Sequence, residues 1–407
     1  MSPMRPKAFP LGWLARSEAG LGLAVVAVVL LTLLFDQQRT YYYSPELSAL
    51  DVLRHTSMLG IFALGAAIVI ISGGIDLSAG SVIAFSGTIC ATLMVFLAPE
   101  AMQKAEPLGA GVIILAVGGT LVVGFLIGSL HAWLITVIGL PPFIATLATL
   151  VGLRSLARAV IENVTLHAFG ARTTQIQIFD QQFRALTTSV WLRAALFLML
   201  AVAAWVLLSR TVVGRHLYAL GGNEEATRLS GIRTDRLKWL AYALSAMLSS
   251  IAGIFYIGDQ SVADPQTLAR GYELNAIAAA VVGGCSLRGG IGTIPGTVLG
   301  CLFLRVVIDG IAKIIKTGAD VYEGLIVGIV VVLAVALNQL RETSGRRKRF
   351  FEGPLGAVTV INLALLLGVL TTLVASPTSG QVAVPVGLAC LALFKLFEAA
   401  RARRAGG

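Results

Sequence analysis

The sequence is poor in charged residues. Asp, Glu, Lys and Arg make up 13% of its 407 residues, about half of the share that is usual in soluble globular domains. In contrast, 57% of the residues are hydrophobic and the mean hydropathy is +0.85. So few charges cannot cover a soluble surface, so lipid must cover much of the protein. The composition therefore predicts an all-α, polytopic helical membrane protein, and the 44 glycines suit close packing of transmembrane helices.

Cysteine is also scarce, and the four cysteines are isolated from one another. They are Cys90, Cys285, Cys301 and Cys390. No CxxC spacing and no neighbouring histidine accompanies them, so the sequence indicates neither a zinc site nor a disulfide framework. We expect them to be small core residues.

Motifs for catalysis and nucleotide binding are missing. The sequence has no GxxxxGK[ST] loop for ATP, no HExxH and no GxSxG. Its histidines are scattered, and no titratable cluster indicates a catalytic pocket. The formal net charge is +10, but no basic stripe is interleaved with aromatic residues, so we expect no binding to nucleic acid. The sequence therefore predicts a protein that is not itself an enzyme.

Apolar runs that approach the roughly 20 residues of a transmembrane helix recur along the sequence. They lie at 19–35, 56–72, 79–98, 109–132, 142–160, 190–208, 238–257, 273–285, 293–312, 321–339, 354–375 and 381–399. No small-residue cleavage site follows the first run, which we therefore interpret as an uncleaved helix. The run at 273–285 is short for a span. The sequence predicts about 10 to 12 transmembrane helices.

Lysine and arginine predict the orientation of these helices. The 209–238 loop, the 340–350 loop and the C-terminal tail are basic, and with twelve spans all three fall on the side of the N-terminus. The positive-inside rule then places both termini in the cytoplasm. Loops 161–189 and 258–272 would lie outside, and the exception is loop 312–320, which carries Lys313 and Lys316 on the outer side.

Two glycine-rich breaks interrupt the apolar sequence, at 70–80 and 282–290. They align without gaps at an offset of 210 residues, which pairs Gly73 with Gly283 and Gly80 with Gly290. Matching breaks indicate an internal, parallel repeat with discontinuous helices near a transport path, although such helix ends also recur by chance in a glycine-rich protein. The candidate residues at the breaks are Gly73, Gly74, Asp76, Ser78, Gly80, Gly283, Gly284 and Ser286.

Asp76 is a carboxylate at or near membrane depth, where it marks either a function or a helix cap. Its place after two glycines favours a cap for the following helix over direct contact with a solute. The same question of function or structure applies to four other charged residues, whose positions near helix ends would allow them to snorkel: Arg154, Arg158, Arg305 and Asp309. The last two are four residues apart on one helical face and could pair.

A third irregularity begins at Gly139 and contains Pro141, Pro142 and Phe143. Two prolines predict either a plain tight turn or a helix that starts with proline in its first positions. The following residues include threonines and small side chains, which suit close packing or the lining of a path.

A polar segment, 217–236, is set between apolar runs. It contains helix formers after Gly222, and Asn223 can accept hydrogen bonds from the free amides of a first turn. Its modest apolar set is Leu217, Leu220, Leu229 and Ile232. The residues alone leave three interpretations open: a helix on the lipid surface, a helix that docks into a partner, or an ordinary loop.

Four motifs carry a family resemblance. The segments at 73–80, 140–147, 218–232 and 273–284 resemble, in this order, the permease subunits of bacterial ABC sugar importers of the ribose/xylose/galactose type. Together they span about residues 50–340. After about residue 345 the chain departs from that family with a basic run and two further apolar spans. This gives three predicted parts: a cytoplasmic N-terminus at 1–18, a transmembrane core at 19–345, and a basic linker with two extra helices at 346–407.

The resemblance implies a multi-pass permease of the bacterial inner membrane that dimerises around a central path. It would receive a monosaccharide from a periplasmic binding protein, and a cytoplasmic ATPase subunit, which holds ATP and Mg, would drive it; this chain would carry no cofactor and no metal. The loop 209–238 would couple the two subunits. The coupling residues implied are Gly222, Asn223, Glu224, Glu225, Ala226, Arg228, Leu229 and Gly231.

Two alternatives remain at the level of the sequence. The first is a related ABC permease for branched-chain amino acids or nucleosides. The second is an ion-coupled secondary transporter or channel that needs no ATPase.

Overall fold

A computed structural model describes residues 11–314 continuously, several positions between 324 and 336, residues 353–374, and positions 385 and 388. Contacts divide the chain into two units, Met1–Asn338 and Gln339–Gly407. Most of the predicted span at 381–399 and much of that at 321–339 lie outside the described residues. In the second unit, the predicted run at 354–375 is a helix, Gly353–Val374.

Between residues 11 and 314, the first unit is almost entirely helical. Its helices are α1 (Leu11–Phe35), α2 (Thr40–Tyr43), α3 (Pro45–Ile71), α4 (Ala79–Leu97), α5 (Pro99–Lys104), α6 (Ala110–Thr136), α7 (Pro142–Phe169), α8 (Gln181–Thr188), α9 (Val190–Arg210), α10 (Val212–Gly222), α11 (Glu224–Leu229), α12 (Thr234–Gln260), α13 (Tyr272–Val282) and α14 (Ile294–Ile314). Two short strands, β1 (Ile176–Gln177) and β2 (Val262–Ala263), pair antiparallel.

Within the part of the chain that the structure describes, eight helices are long and apolar enough to cross a membrane: α1, α3, α4, α6, α7, α9, α12 and α14. The polytopic helical architecture is thus confirmed. α3 begins eleven residues before the apolar run that predicted it, and α7 continues nine residues beyond its run. A helix satisfies its own backbone groups, so it can extend past the apolar core of the bilayer. α13 has only 11 residues, too few to span on its own.

Helices α3, α4 and α12 form the centre of the unit. In the apolar stretch of each of these helices, 78–89% of the residues are buried. The corresponding share is 22–28% in α6, α7 and α9. α12 packs so closely on α6 that a methyl group at Gly128 would overlap the backbone of Ala243. Small residues permit this approach, which supplies the van der Waals contact that holds helices together in lipid. Cys90, Cys285 and Cys301 are buried, as predicted, and Cys390 lies outside the described residues.

The two ends of the unit are distinct, because the 27 residues of α12 separate them by about 40 Å. At one end, which we call the ribbon end, β1 pairs with β2. The loops 161–189 and 258–272, predicted to share one side, therefore meet there. At the other end, the hairpin end, α10 meets both breaks. Glu18, near the start of α1, lies there too, with its carboxylate 3.3 Å from the Thr293 hydroxyl.

The expectation that charged side chains snorkel from helix ends is wrong for Arg154. It lies near the middle of α7, and its guanidinium donates to three carbonyl oxygens of the loop 264–271 at 2.9–3.1 Å. Irregular backbone away from water needs donors, and this side chain supplies them. Asp309 binds Lys313 at 2.7 Å and the Tyr41 hydroxyl at 2.5 Å, and the Arg305 guanidinium lies over the Tyr272 ring.

Candidate functional site: a helical hairpin against two helix breaks

Helices α10 and α11 form a hairpin around Asn223. The Asn223 side chain accepts a hydrogen bond from the Ala226 amide at 2.9 Å, as the sequence predicted, so it fixes where α11 starts. Thr211 caps α10 in the same way through the Gly214 amide at 3.0 Å. Both helices are therefore defined by local sequence, with a turn of one residue between them.

The hairpin has a buried and an exposed face. Of its apolar residues, Leu217 and Leu220 are buried, whereas Leu229 is 81% exposed. α11 is only six residues long, and its Thr227 occupies the buried position. All eight predicted coupling residues are exposed: Gly222, Asn223, Glu224, Glu225, Ala226, Arg228, Leu229 and Gly231.

One contact fixes the exposed face relative to α12. The Glu224 carboxylate lies 2.5 Å from the Lys238 ammonium. Glu225 projects from the same exposed turn. The hairpin thus presents acidic, basic and apolar side chains together on a surface anchored to a central helix.

Both breaks begin with the same helix termination. In α3 the amides of Gly73 and Gly74 donate to the carbonyls of Ile70 and Val69 at 2.9 Å, and Gly73 has φ = 84°. This is a Schellman motif, which needs a left-handed residue after the helix. α13 ends in the same way, with Gly284 at φ = 96° and the amides of Gly284 and Cys285 donating at 2.9 Å.

The predicted alignment of the breaks is therefore wrong by one residue. The structure pairs Gly73 with Gly284, an offset of 211, rather than with Gly283. Gly283 instead faces α14, where a methyl group on it would overlap the carbonyl oxygen of Gly296. A sequence comparison aligns glycines by type, whereas the hydrogen bonds separate the left-handed glycine from the packing glycine. The second break is also longer than the first. It contains a turn in which the Ser286 carbonyl accepts a hydrogen bond from the Gly289 amide at 2.9 Å.

The hairpin touches both breaks through backbone atoms. The Gly290 amide donates to the Ile71 carbonyl at 2.9 Å, which joins the second break to the first. A methyl group at Gly221 would overlap that same carbonyl oxygen, and one at Gly289 would lie 2.7 Å from the Gly73 Cα. The sequence analysis did not name Gly221 or Gly289 as site residues. Each belongs to a pair of adjacent glycines, at 221–222 and 289–290, and these pairs could have indicated a close backbone contact.

Tyr218 adds a side-chain contact between the hairpin and the second break. Its hydroxyl donates to the Gly292 carbonyl at 2.7 Å. Burial raises the pKa of the Tyr218 phenol to about 12, so at neutral pH the hydroxyl is protonated and remains a donor.

Asp76 closes the first break. It is buried and accepts from the Ser78 amide at 2.9 Å, the Ser78 hydroxyl at 2.5 Å and the Ser245 hydroxyl of α12 at 2.7 Å. Ser78, rather than Asp76, occupies the N-cap of α4, and no side chain caps that helix. The carboxylate therefore holds the loop and α12 together instead of satisfying amides of the first helical turn. Gly80 leaves room for Glu273, because a methyl group at Gly80 would overlap the Glu273 carboxylate.

The proline motif is a helix start, which confirms one of its two interpretations. α7 begins at Pro142, with Pro141 as its N-cap residue, and Phe143 is half exposed. Thr146, one turn further, lies 3.4 Å from the Ile75 carbonyl of the first break. The start of α7 therefore belongs to the same end as the hairpin and both breaks.

The chain is similar to known transport proteins. The family described as "Branched-chain amino acid transport system / permease component" matches residues 48–335. The ribose import permease protein of Escherichia coli is 34% identical over 81% of this chain and 95% of its own length. The galactose/methyl galactoside import permease protein of the same organism is 32% identical over 79% and 94%. The ribose import permease protein of Bacillus subtilis is 33% identical over 72% and 85%.

No solved structure matches the chain. The family match nevertheless covers all of the hairpin and both breaks. The chain therefore belongs to this family of transport-system permeases, together with the ribose and galactose import permeases.

Proposed function

We propose that the chain is the membrane-spanning subunit of an ABC importer for a monosaccharide. Its similarity to the ribose and galactose permeases extends over more than 90% of the length of the Escherichia coli proteins, which supports a pentose or hexose over the branched-chain amino acids in the family's description. The observation that carries the mechanism is the hairpin, because its exposed face is available to a partner while its buried face touches both breaks.

The hairpin would dock into a cytoplasmic ATPase subunit, which binds ATP and Mg and hydrolyses ATP. A short helix that presents Glu225, Ala226 and Leu229 suits a groove on a partner protein. Its anchorage to α12 through Glu224 and Lys238 would keep the docking face in place. The chain itself would perform no covalent chemistry.

Transport would follow from a shift between two states of the helix bundle. Nucleotide binding would draw the ATPase subunits together and move the hairpins, and the bundle would alternate between outward and inward access. A partner can drive such a change only by binding one state better than the other. A periplasmic binding protein would deliver the sugar at the ribbon end, and a second copy of the permease would complete the path.

The same scheme gives the orientation in the inner membrane. The hairpin end carries the basic 209–238 loop and the start of α1, which supports a cytoplasmic position for both. The ribbon end would then face the periplasm. The C-terminus would also be cytoplasmic if residues 346–407 contain two spans.

Reconstitution into proteoliposomes tests the proposal. Vesicles that contain the permease, the ATPase subunit and the binding protein should accumulate labelled ribose or galactose only when ATP is supplied. Labelled leucine and a labelled nucleoside are tested as alternative substrates. Their accumulation in place of sugar would indicate a permease for branched-chain amino acids or nucleosides. Accumulation against a gradient by the permease alone would instead identify an ion-coupled transporter and contradict the proposal.

A further inference from the structure

Three segments that are distant in sequence meet through glycines at the hairpin end. We call this contact the glycine joint and define it as Gly73 of the first break, Gly221 of the hairpin and Gly289 of the second break. A methyl group at Gly73 would lie 3.2 Å from the Gly221 Cα, and one at Gly289 would lie 2.6 Å from the Gly221 carbonyl oxygen. Gly221 is therefore in contact with both breaks.

The contacts of the joint are between backbones, and this determines how they respond to movement. A side chain between two helices can absorb a displacement by changing its rotamer. Backbone atoms packed without side chains have no such freedom, and densely packed protein transmits strain. Any displacement of α10 at Gly221 must therefore displace the breaks or separate from them.

Two hydrogen bonds oppose separation of the hairpin and the breaks. The second break is tied to the first by the Gly290 amide and the Ile71 carbonyl, and the hairpin is tied to the second by Tyr218 and Gly292. Each break lies between two helices of the bundle, α3 and α4 in one case and α13 and α14 in the other. One displacement would thus reach four helices together.

We propose that the glycine joint, with Gly221 as its positioning residue, transmits the movement of the docked hairpin to both breaks at once. This inference rests on the proposed function, in which an ATPase subunit moves the hairpin. It assigns separate roles to the two faces: the exposed face binds the ATPase, and the joint passes the movement on. Binding and transport should therefore be separable by mutation.

The test compares Gly221→Ala with Gly152→Ala. Gly221 has no space for a methyl group, whereas a methyl group at Gly152 in α7 would meet nothing within 4 Å. Both variants should insert and co-purify with the ATPase subunit. Gly221→Ala should reduce ATP-driven sugar uptake at least tenfold and abolish the stimulation of ATP hydrolysis by the loaded binding protein. Gly152→Ala should stay within twofold of the unmodified protein.

Normal uptake by Gly221→Ala would overturn the joint while leaving the proposed function intact. If the unmodified chain neither binds nor needs the ATPase, the proposed function itself fails. Should Gly221→Ala fail to insert, Tyr218→Phe decides, because it removes only the hydrogen bond to Gly292. That variant should hydrolyse more ATP for each sugar transported, and an unchanged ratio would contradict the proposal.

Discussion

Gly73 and Gly284 occupy the same position in two copies of one helix termination. Each follows a helix, each has a positive φ, at 84° and 96°, and the amides at and after each glycine donate to equivalent carbonyls. Their surroundings differ, because a methyl group at Gly284 would meet nothing within 4 Å, whereas one at Gly73 would approach Gly221. Both glycines are needed for the left-handed turn, but only Gly73 is also needed for close packing against Gly221.

Alanine at these two positions should therefore have unequal effects. Gly284→Ala should destabilise the protein by about 1–2 kcal/mol, the cost of a left-handed conformation in a residue with a Cβ. Gly73→Ala should cost more, since it adds the close approach to Gly221. Gly284→Asn should cost less than Gly284→Ala, because asparagine tolerates this conformation. Thermal unfolding in detergent would measure the three variants, and equal losses at both glycines would contradict the packing argument.

Local signals in the sequence predicted some of the local hydrogen bonds of the site. Asn223 as a cap is confirmed, and so is a helix start at Pro142, which was one of two interpretations of the proline motif; such residues act on the backbone within a few positions. Asp76 as a cap for α4 is wrong, because its carboxylate instead links the first break to α12. The mid-helix position of the Arg154 contacts was not predicted. It depends on which helices pack together, and hydrophobic periodicity within one segment does not contain that information.

The role of Asp76 leads to a second prediction. If the carboxylate only closes the break, Asp76→Asn should retain the bond from the Ser78 amide, and sugar uptake should keep its KM. Asp76→Ala loses the bonds from Ser78 and Ser245 and leaves buried donors unsatisfied, at about 1–3 kcal/mol for each such group. Uptake kinetics and thermal unfolding should be measured together. A large rise in KM for Asp76→Asn, with stability unchanged, would indicate direct contact with the solute instead.

The exposed face of the hairpin gives a third prediction. Leu229→Asp should leave folding intact, because the side chain is 81% exposed, but it should weaken co-purification with the ATPase at least tenfold. Charge reversal in Glu225→Lys, or loss of the Asn223 cap bond in Ala226→Pro, should abolish sugar uptake while insertion is preserved. Leu186→Asp is the matched control, since Leu186 is an exposed leucine of α8 at the ribbon end. Equal ATPase binding by Leu229→Asp and Leu186→Asp would refute the docking face.

A fourth prediction concerns a charge cluster that the sequence did not reveal. Arg193 lies in a run that was selected only for its hydrophobicity, yet it is 1% exposed and its guanidinium contacts Asp259 of α12 at 2.9 Å. Arg54 of α3 contacts the same carboxylate oxygen at 2.6 Å. Asp259→Asn would leave two guanidinium groups close together, one of them buried, and removing one partner of a buried pair costs about 3–5 kcal/mol.

The comparison for this cluster is the exposed Arg158–Glu162 pair, whose side chains are 51% and 30% accessible. Arg158→Ala should change stability by less than about 1 kcal/mol. Arg193→Met combined with Asp259→Asn should be more stable than Asp259→Asn alone, because the buried cation that has lost its partner is gone. Thermal unfolding of the single and double variants forms a double-mutant cycle. If the double variant loses as much stability as the sum of the two single variants, Arg193 and Asp259 do not depend on each other, and the charge cluster does not hold α9 to α12.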